Sequence, residues 1–245
     1  DSIYKEISTA YNFNIPYRLP VTIVSGVEPF NAYFSTGYYN HIVLYDTYPI
    51  DEMVVFKDDF LSTFRHELTH AFTMNMKSPF WRAMGSVFGD PASPVFIFVT
   101  GGMAEGATLT SESSFGEGRL NDEFAKQMVR QAKIEKKFPS YDDMCSAREI
   151  YPYGSYYFFN GAFHQWLQTW YGMEKYAEWW YRTDNAKNLT QYRAFRKIYG
   201  MDIEIAWERF YKSIEVPVLT ESGASDFFSD PIFNRKGALY ADLCN

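Results

Sequence analysis

The stretch from Asp58 to Met76 constrains the fold of this chain more than any other part of its 245 residues. Apolar residues recur there at intervals of three and four, acidic residues stand at the start, and a proline lies beyond the end. The apolar positions are Phe60, Leu61, Phe64, Leu68, Ala71 and Phe72. This pattern predicts one long amphipathic helix whose acidic residues lie at its positive end.

The predicted helix carries the motif His66-Glu67-Leu-Thr-His70. Side chains four residues apart lie on one face of a helix, about one turn apart, so both imidazoles can reach a single zinc ion. Glu67 lies beside them, where a carboxylate can hold a water molecule. Two of the four histidines in the chain fall in this motif, which favours a metal site over two unrelated histidines.

A catalytic zinc normally takes a third protein ligand and leaves one position open. An extended motif with a third histidine is excluded, because Thr73 and Met76 stand where that motif requires Gly and His. A carboxylate on a following helix remains, and we identify Glu105 as that ligand in preference to Glu112 or Glu117. Small neighbours would let its helix pack closely on the zinc helix, namely Gly101, Gly102, Ala104, Gly106 and Ala107.

The remaining elements predict an α+β fold. The first fifty residues are typical of strands and turns, with strands at 21–24 and 41–45. A loop is predicted at 77–93, a strand at 94–100 and a short helix from Met103. Beyond residue 119 the predicted helices are 122–137, 155–171, 174–182, 191–199 and 203–214, with Gly172 and Gly200 as helix ends.

This order of elements predicts two lobes. Residues 1–118 would form a small sheet with the zinc helix, and residues 119–216 a helical lobe. The composition shifts to Ser, Gly, Asp and Pro after Val216. We therefore separate residues 217–245 as a C-terminal extension.

Composition excludes several classes of protein. Phe, Tyr and Trp make up 20% of the chain, which rules out a disordered or low-complexity sequence. The net charge of -7 and the lack of a basic cluster argue against nucleic-acid binding. No apolar run approaches the roughly 20 residues of a membrane-spanning helix. Cys145 and Cys244 are too few for a disulfide framework, and their bonding state stays open.

Several segments of the chain together carry a resemblance to a known family. They are His66 to His70, Glu105-Gly106-Ala107, Phe163 to Leu167 with Tyr171-Gly172, and Phe195 to Gly200 followed by Trp207 to Ser213. In these segments the chain resembles the gluzincin branch of zinc metallopeptidases, and more closely the bacterial peptidase-MA-like domains, over about residues 20–214. Phe98 stands in for the tryptophan usual before Glu-Gly. Leu109 replaces the aspartate of the thermolysin-type pattern, so we expect no carboxylate supporting a zinc ligand there.

The resemblance implies a zincin-like, two-lobed metallopeptidase with one Zn2+ per chain and a peptide or protein as substrate. His66, His70 and Glu105 would bind the zinc. Glu67 would be the general base for a metal-activated water that hydrolyses the peptide bond.

The same chemistry needs a donor facing the oxyanion that develops on the substrate. The spacing to Phe163 aligns Tyr157 best with the tyrosine of the related domains, and Tyr153, Tyr156 and His164 stay open as alternatives. The resemblance also places the strand that begins at His41 near the cleft, where it is expected to bind extended peptide by β-augmentation.

The C-terminal extension resembles the start of a Tol-type β-propeller, from Leu219 to Gly223 and from Asp230 to Tyr240. One blade start cannot fold as a propeller, so we expect the chain to be the peptidase region of a longer protein. An irregular extension is the alternative. Because related propeller proteins are exported by bacteria, we expect the periplasm or cell envelope as its location.

Two other classes of protein stay open. One is a catalytically silent, zinc-containing binding module whose aromatic-lined cleft holds a protein or carbohydrate partner. The other is a helical interaction protein with a fortuitous motif. Glu67 favours the peptidase, since a non-catalytic zinc site needs no carboxylate beside its ligands. Endopeptidase and exopeptidase action are both compatible with these residues.

Overall fold

The computed structural model describes residues 1–26, 31–36, 39–47, 59–89, 93–116, 118–146 and 154–216. Within these ranges the chain is mostly helical with one small three-stranded sheet, which confirms the predicted α+β class. Glu117, Tyr153, Cys244 and the propeller-like extension at 217–245 lie outside the described residues.

The elements follow one another in an order that places the sheet before most of the helices. The strands are β1 (Val21–Ser25), β2 (Ala32–Ser35) and β3 (His41–Asp46). The helices are α1 (Ser2–Tyr11), α2 (Asp59–Thr73), α3 (Pro79–Phe88), α4 (Val95–Phe98), α5 (Gly101–Glu112), α6 (Glu123–Ile134), α7 (Tyr141–Cys145), α8 (Ser155–Tyr171), α9 (Met173–Asp184), α10 (Gln191–Tyr199) and α11 (Ile203–Ser213).

The sheet has the strand order β1-β3-β2, so β3 is its central strand. β1 runs parallel to β3, with Val21 opposite Ile42, and β2 runs antiparallel to it, with Ala32 opposite Leu44. The strands predicted at 21–24 and 41–45 are confirmed as β1 and β3. The strand beginning at His41 is bonded on both sides, so the prediction that it receives a peptide was wrong. Within the described sheet, β2 is the edge strand next to α2.

The helical half of the chain follows its prediction closely. α8 and α10 begin and end at the predicted residues, and α2, α6, α9 and α11 differ from prediction by at most three residues at either end. Gly172 and Gly200 end α8 and α10 with φ angles of 85° and 72°, which glycine adopts without steric cost. These stop signals are local, which is why the sequence locates them well.

Three helices replace structure that was predicted as irregular or extended. α1 lies in the region assigned to strands and turns, and it buries Ile7 and Tyr11, which are four residues apart. α3 replaces the predicted loop, because Ser78 as N-cap and Pro79 as first residue start a helix. α4 replaces the predicted strand at 94–100, since a short apolar run does not by itself distinguish strand from helix.

α5 packs against both α2 and α8. Its glycines allow a close approach to α8 and α7: a Cβ at Gly106 would lie 2.8 Å from the ring of His164, and one at Gly102 would lie 2.7 Å from Asn160 Nδ2 and from the Cα of Cys145. The predicted packing of α5 on α2 is confirmed, but Gly102 and Gly106, two of the small residues to which it was attributed, face α7 and α8 instead.

A cluster of buried apolar side chains extends from Ile7 in α1 to Phe210 in α11. It includes residues on both sides of the boundary predicted at residue 118, and the division into lobes stays a prediction. None of the helices in the described ranges is long and apolar enough to cross a membrane.

Candidate metal centre

α2 and α5 bring the side chains of His66, His70 and Glu105 to one point. Glu105 Oε2 lies 3.2 Å from His66 Nε2 and 3.5 Å from His70 Nε2. The two imidazoles are buried and the carboxylate is partly buried. Each residue offers one ligand atom, and these atoms lie within 4.8 Å of one another. The three residues identified from the sequence thus lie together in space.

The spacing of these atoms fits a tetrahedral metal ion. Zinc binds imidazole nitrogen and carboxylate oxygen at about 2.0–2.2 Å, so tetrahedral geometry places two ligand atoms about 3.4 Å apart. The two distances from Glu105 lie on either side of this value. Two imidazole nitrogens and one carboxylate also form a donor set that suits hydrolytic zinc with one open position. The residues present therefore fit a zinc ion.

The electrostatics of the three residues favour a cation. Burial by itself raises the pKa of Glu105, but His70 and His66 outweigh it and hold that pKa well below its usual range. Burial lowers the pKa of His66, yet hydrogen bonds to Glu105 and Glu112 outweigh that effect and raise it to about 9. Glu105 is thus ionised, and a metal ion would displace a proton from His66 on binding.

Glu112 supports His66 through the other ring nitrogen. His66 Nδ1 donates to Glu112 Oε2 at 3.0 Å, which leaves Nε2 for a cation. Arg119 donates to both oxygens of Glu112, from Nε at 2.8 Å and from Nη2 at 2.9 Å. Burial raises the pKa of Glu112, but the charge and hydrogen bonds of Arg119 hold it at about 2. The carboxylate therefore stays ionised and fixes the orientation of the imidazole.

Leu109 stands four residues after Glu105, so the thermolysin-type carboxylate is absent as predicted. The carboxylate that supports His66 comes from another position, which was not predicted. Glu112 lies seven residues after Glu105, or about two helical turns, so both carboxylates lie on the same face of α5. This spacing is the signal that could have found Glu112. Arg119 comes from the turn after α5, and no local pattern indicates its role.

A cavity of about 600 Å³ opens over these residues. Glu67 lines it beside His66 and His70, and Glu67 is itself largely buried. Side chains from β2, from the end of α2 and from the segments around α4 and α5 form a largely apolar wall, made by Tyr33, Phe34, Met74, Val95, Phe96, Val99 and Ala104. The cavity therefore places a carboxylate beside the candidate metal ligands and next to a surface suited to apolar groups.

The candidates for the oxyanion donor occupy different surroundings. Tyr157 lines the cavity, and the guanidinium of Arg119 lies 5.2 Å from its ring centre. Burial raises the pKa of Tyr157, so its hydroxyl stays protonated and can donate. Tyr156 packs on Tyr157 with ring centres 4.3 Å apart but is not among the cavity-lining residues. His164 is fully buried, bonded within the core and absent from the cavity wall.

Comparison with known proteins finds no family model that matches the chain. The chain is similar to an uncharacterized protein of Treponema pallidum (strain Nichols), with 29% identity over 202 residues. The aligned region is 82% of this chain and 17% of that protein, so the chain spans less than a fifth of its relative. No solved structure matches. Export and a connection to a propeller stay predictions.

Proposed function

We propose that this chain is a zinc-dependent peptidase of the gluzincin type with a zincin-like, two-lobed fold. The observation that carries the proposal is that His66, His70, Glu105 and Glu67 all line one cavity. A zinc site with a purely structural role closes its coordination with protein ligands, whereas three ligands, an adjacent carboxylate and an open cavity suit hydrolysis.

In this proposal each residue of the site has a separate role in hydrolysis. Zinc, when bound, supplies a Lewis acid and lowers the pKa of a water molecule. Glu67 takes up a proton at its carboxylate and returns it to the leaving amine nitrogen. The Tyr157 hydroxyl donates a hydrogen bond to the developing oxyanion. Glu112 keeps the His66 ring in the orientation that metal binding requires.

The walls of the cavity support a peptide as the substrate. Tyr33 and Phe34 of β2 line it, and β2 is one of the two edge strands of the described sheet. An edge strand has backbone N–H and C=O groups that can pair with an extended peptide. Val95, Phe96 and Val99 add an apolar wall that suits an apolar substrate side chain.

A second candidate function is a catalytically silent, zinc-containing binding module. The aromatic side chains of the cavity wall favour this binding function, because they could stack on a protein or carbohydrate partner. They are Tyr33, Phe34, Phe96 and Tyr157. The position of Glu67 beside the two histidines favours the peptidase instead.

One experiment tests both candidates. Zinc content and cleavage of a diverse peptide library are measured on the wild type, on Glu67→Gln and on Glu123→Gln, whose carboxylate is 77% exposed on α6. We expect one zinc per chain in all three, with cleavage reduced about 10³-fold or more only in Glu67→Gln. Zinc without cleavage in any of them would favour the binding module. Absence of zinc from the wild type would refute the metal site itself.

A further inference from the structure

The candidate metal ligands divide the cavity into two ends, because α2 and α5 pass each other in opposite directions. His66 contacts Glu112 at the end of α5 and Glu105 nearer its start, whereas His70, one turn later in α2, contacts Glu105. Moving forward along α2 therefore corresponds to moving back along α5. One end of the cavity lies toward Glu112, and the other lies toward the first turn of α5.

The two ends differ in polarity. At the first end, Arg119 and Glu112 form an ion pair, with Arg119 Nε 2.8 Å from Glu112 Oε1. At the second end the cavity is lined by six residues, none of them charged, which are Met74, Val95, Val99, Thr100, Gly101 and Ala104. A substrate chain that crosses the metal ligands would therefore meet polar surroundings on one side and apolar surroundings on the other.

Short links in the chain hold the apolar residues beside the start of α5. Val99 directly precedes Thr100, the N-cap of α5, and the backbone N–H of Val99 donates to the carbonyl of Val95 at 3.0 Å. Met74 continues the helical turn of His70, because its backbone N–H donates to the His70 carbonyl at 2.9 Å. These side chains thus come from three segments that meet at one end of the cavity.

The one hydroxyl among these six residues is engaged within the protein. Thr100 Oγ1 accepts from the backbone N–H of Met103 at 3.3 Å and from Gln191 Nε2 at 3.4 Å, and it also contacts Cys145 Sγ. A substrate side chain at this end therefore meets methyl and methylene groups. Such surroundings suit an apolar group and disfavour a polar one, which would lose its hydrogen bonds to water.

Small side chains leave a hollow next to Glu105. Gly101 and Ala104 are three residues apart in α5, so they lie on the same side of the helix, and Glu105 follows directly. Val95 and Ala104 line the cavity although they are only 2% and 5% exposed, so the core packs behind them. The hollow therefore adjoins a candidate metal ligand and has walls that the core supports.

We propose that Met74, Val95, Val99, Gly101 and Ala104 form an apolar subsite, which receives the aliphatic side chain of a residue that adjoins the cleaved bond. The inference rests on the proposed function and deepens it, since it makes the protein a peptidase for bonds beside residues such as leucine, isoleucine or methionine. Ala104 sets the size of the subsite, because any larger side chain there would fill the hollow.

A peptide library varied on both sides of the cleaved bond tests the subsite. In the zinc-loaded wild type we expect kcat/KM to be at least about tenfold higher with leucine than with alanine on one side of the bond, since one methylene in an apolar pocket changes kcat/KM roughly 10–200-fold. Ala104→Leu should lower kcat/KM for the leucine peptide by roughly tenfold or more and change it less than about threefold for the alanine peptide.

Two further variants keep the test independent of how well Ala104→Leu folds. Val99→Ala enlarges the subsite and should raise the ratio of kcat/KM for phenylalanine to that for leucine roughly tenfold. Ala83→Leu makes the same chemical change at an exposed position of α3, outside the cavity wall, and should keep the wild-type preferences. Zinc content is measured in each variant, because wild-type content shows that Glu105 has kept its position.

Peptide binding to Glu67→Gln, measured by calorimetry, separates this inference from the proposed function. We expect the leucine peptide to bind roughly tenfold more tightly than the alanine peptide, and Ala104→Leu in the same background to abolish the difference. Cleavage without an aliphatic preference on either side, or one preference shared by the wild type, Ala104→Leu and Val99→Ala, would overturn the subsite and leave the peptidase intact. A wild type that cleaves no peptide would refute the proposed function; the subsite would then stand if the binding difference depends on Ala104, and equal binding of both peptides would overturn it.

Discussion

Glu112 offers the sharpest test of the proposed metal centre, because it would act on a bound metal only through another side chain. Its carboxylate is 1% exposed and accepts hydrogen bonds from His66 and from three nitrogens of Arg119, two of the side chain and one of the backbone. In Glu112→Gln, an amide NH2 group replaces one carboxylate oxygen. Two of the four donors then face the amide NH2 group, which is itself a donor, and the remaining oxygen acceptor carries no charge.

The size of the effect follows from these contacts. A hydrogen bond to a charged group contributes about 1.5–3 kcal/mol, so we expect metal-free Glu112→Gln to lose about 2–4 kcal/mol of unfolding free energy. Removing the partner of a metal-binding imidazole typically weakens metal affinity about 10–100-fold, or roughly 1.4–2.8 kcal/mol. We therefore expect the Kd for zinc to rise by that factor.

Two measurements check this prediction. Competition with a chelator of known affinity gives the Kd for zinc, and urea unfolding with chelator present gives the stability of the metal-free chain. Glu123→Gln is the control, since its carboxylate is 77% exposed and pairs with Lys126, and it should change neither quantity. A Kd within about twofold of wild type, in a variant that is measurably destabilised, would refute the claim that Glu112 orients His66 for the metal.

Three further predictions concern α5, α8 and the cavity. Gly106→Ala should lower the unfolding free energy by about 1–3 kcal/mol, because the added Cβ would lie 2.8 Å from the His164 ring. Urea unfolding measures this change, and an unchanged urea midpoint would contradict the close packing of α5 on α8. Burial lowers the pKa of His164 to about 3, so below pH 6.5 the unfolded chain binds a proton that the folded chain does not. Stability should therefore fall as the pH falls, by about 2 kcal/mol at roughly pH 5, and His164→Gln should remove that part of the pH dependence of the unfolding free energy. Tyr157→Phe should lower kcat about 10²-fold with zinc content unchanged. Tyr156→Phe removes only the hydroxyl that is hydrogen-bonded to Tyr157 and should have a smaller effect; equal losses in both variants would argue against Tyr157 as the donor.

The features that the sequence predicted well depend on neighbours close in the chain. His66 and His70 share a face because they are four residues apart in a helix, whatever the rest of the chain does. Gly172 and Gly200 stop their helices because a positive φ is a local preference of glycine. The class of fold and most helix boundaries follow from such short-range patterns.

The predictions from sequence were wrong where a local pattern is compatible with two different structures. The run at 94–100 suits a strand or a helix, and Pro79 suits a loop or the first turn of a helix. In each case the folded chain takes the helical form. Small residues near Glu105 predicted that α5 packs closely on α2, which it does, but Gly102 and Gly106 among them face α7 and α8.

The sequence by itself determined the pair of histidines, the adjacent carboxylate and the helical spacing that sets them on one surface. The tertiary structure alone decided that Glu105 reaches both imidazoles, that Glu112 and Arg119 support His66 from behind, and that His164 lies in the core instead of the cavity. It also decided that Met74, Val99 and Ala104 line the same cavity. The physical reason is the range of the interactions, since helix periodicity acts over about four residues, whereas these contacts join side chains that only the packing of separate helices brings together.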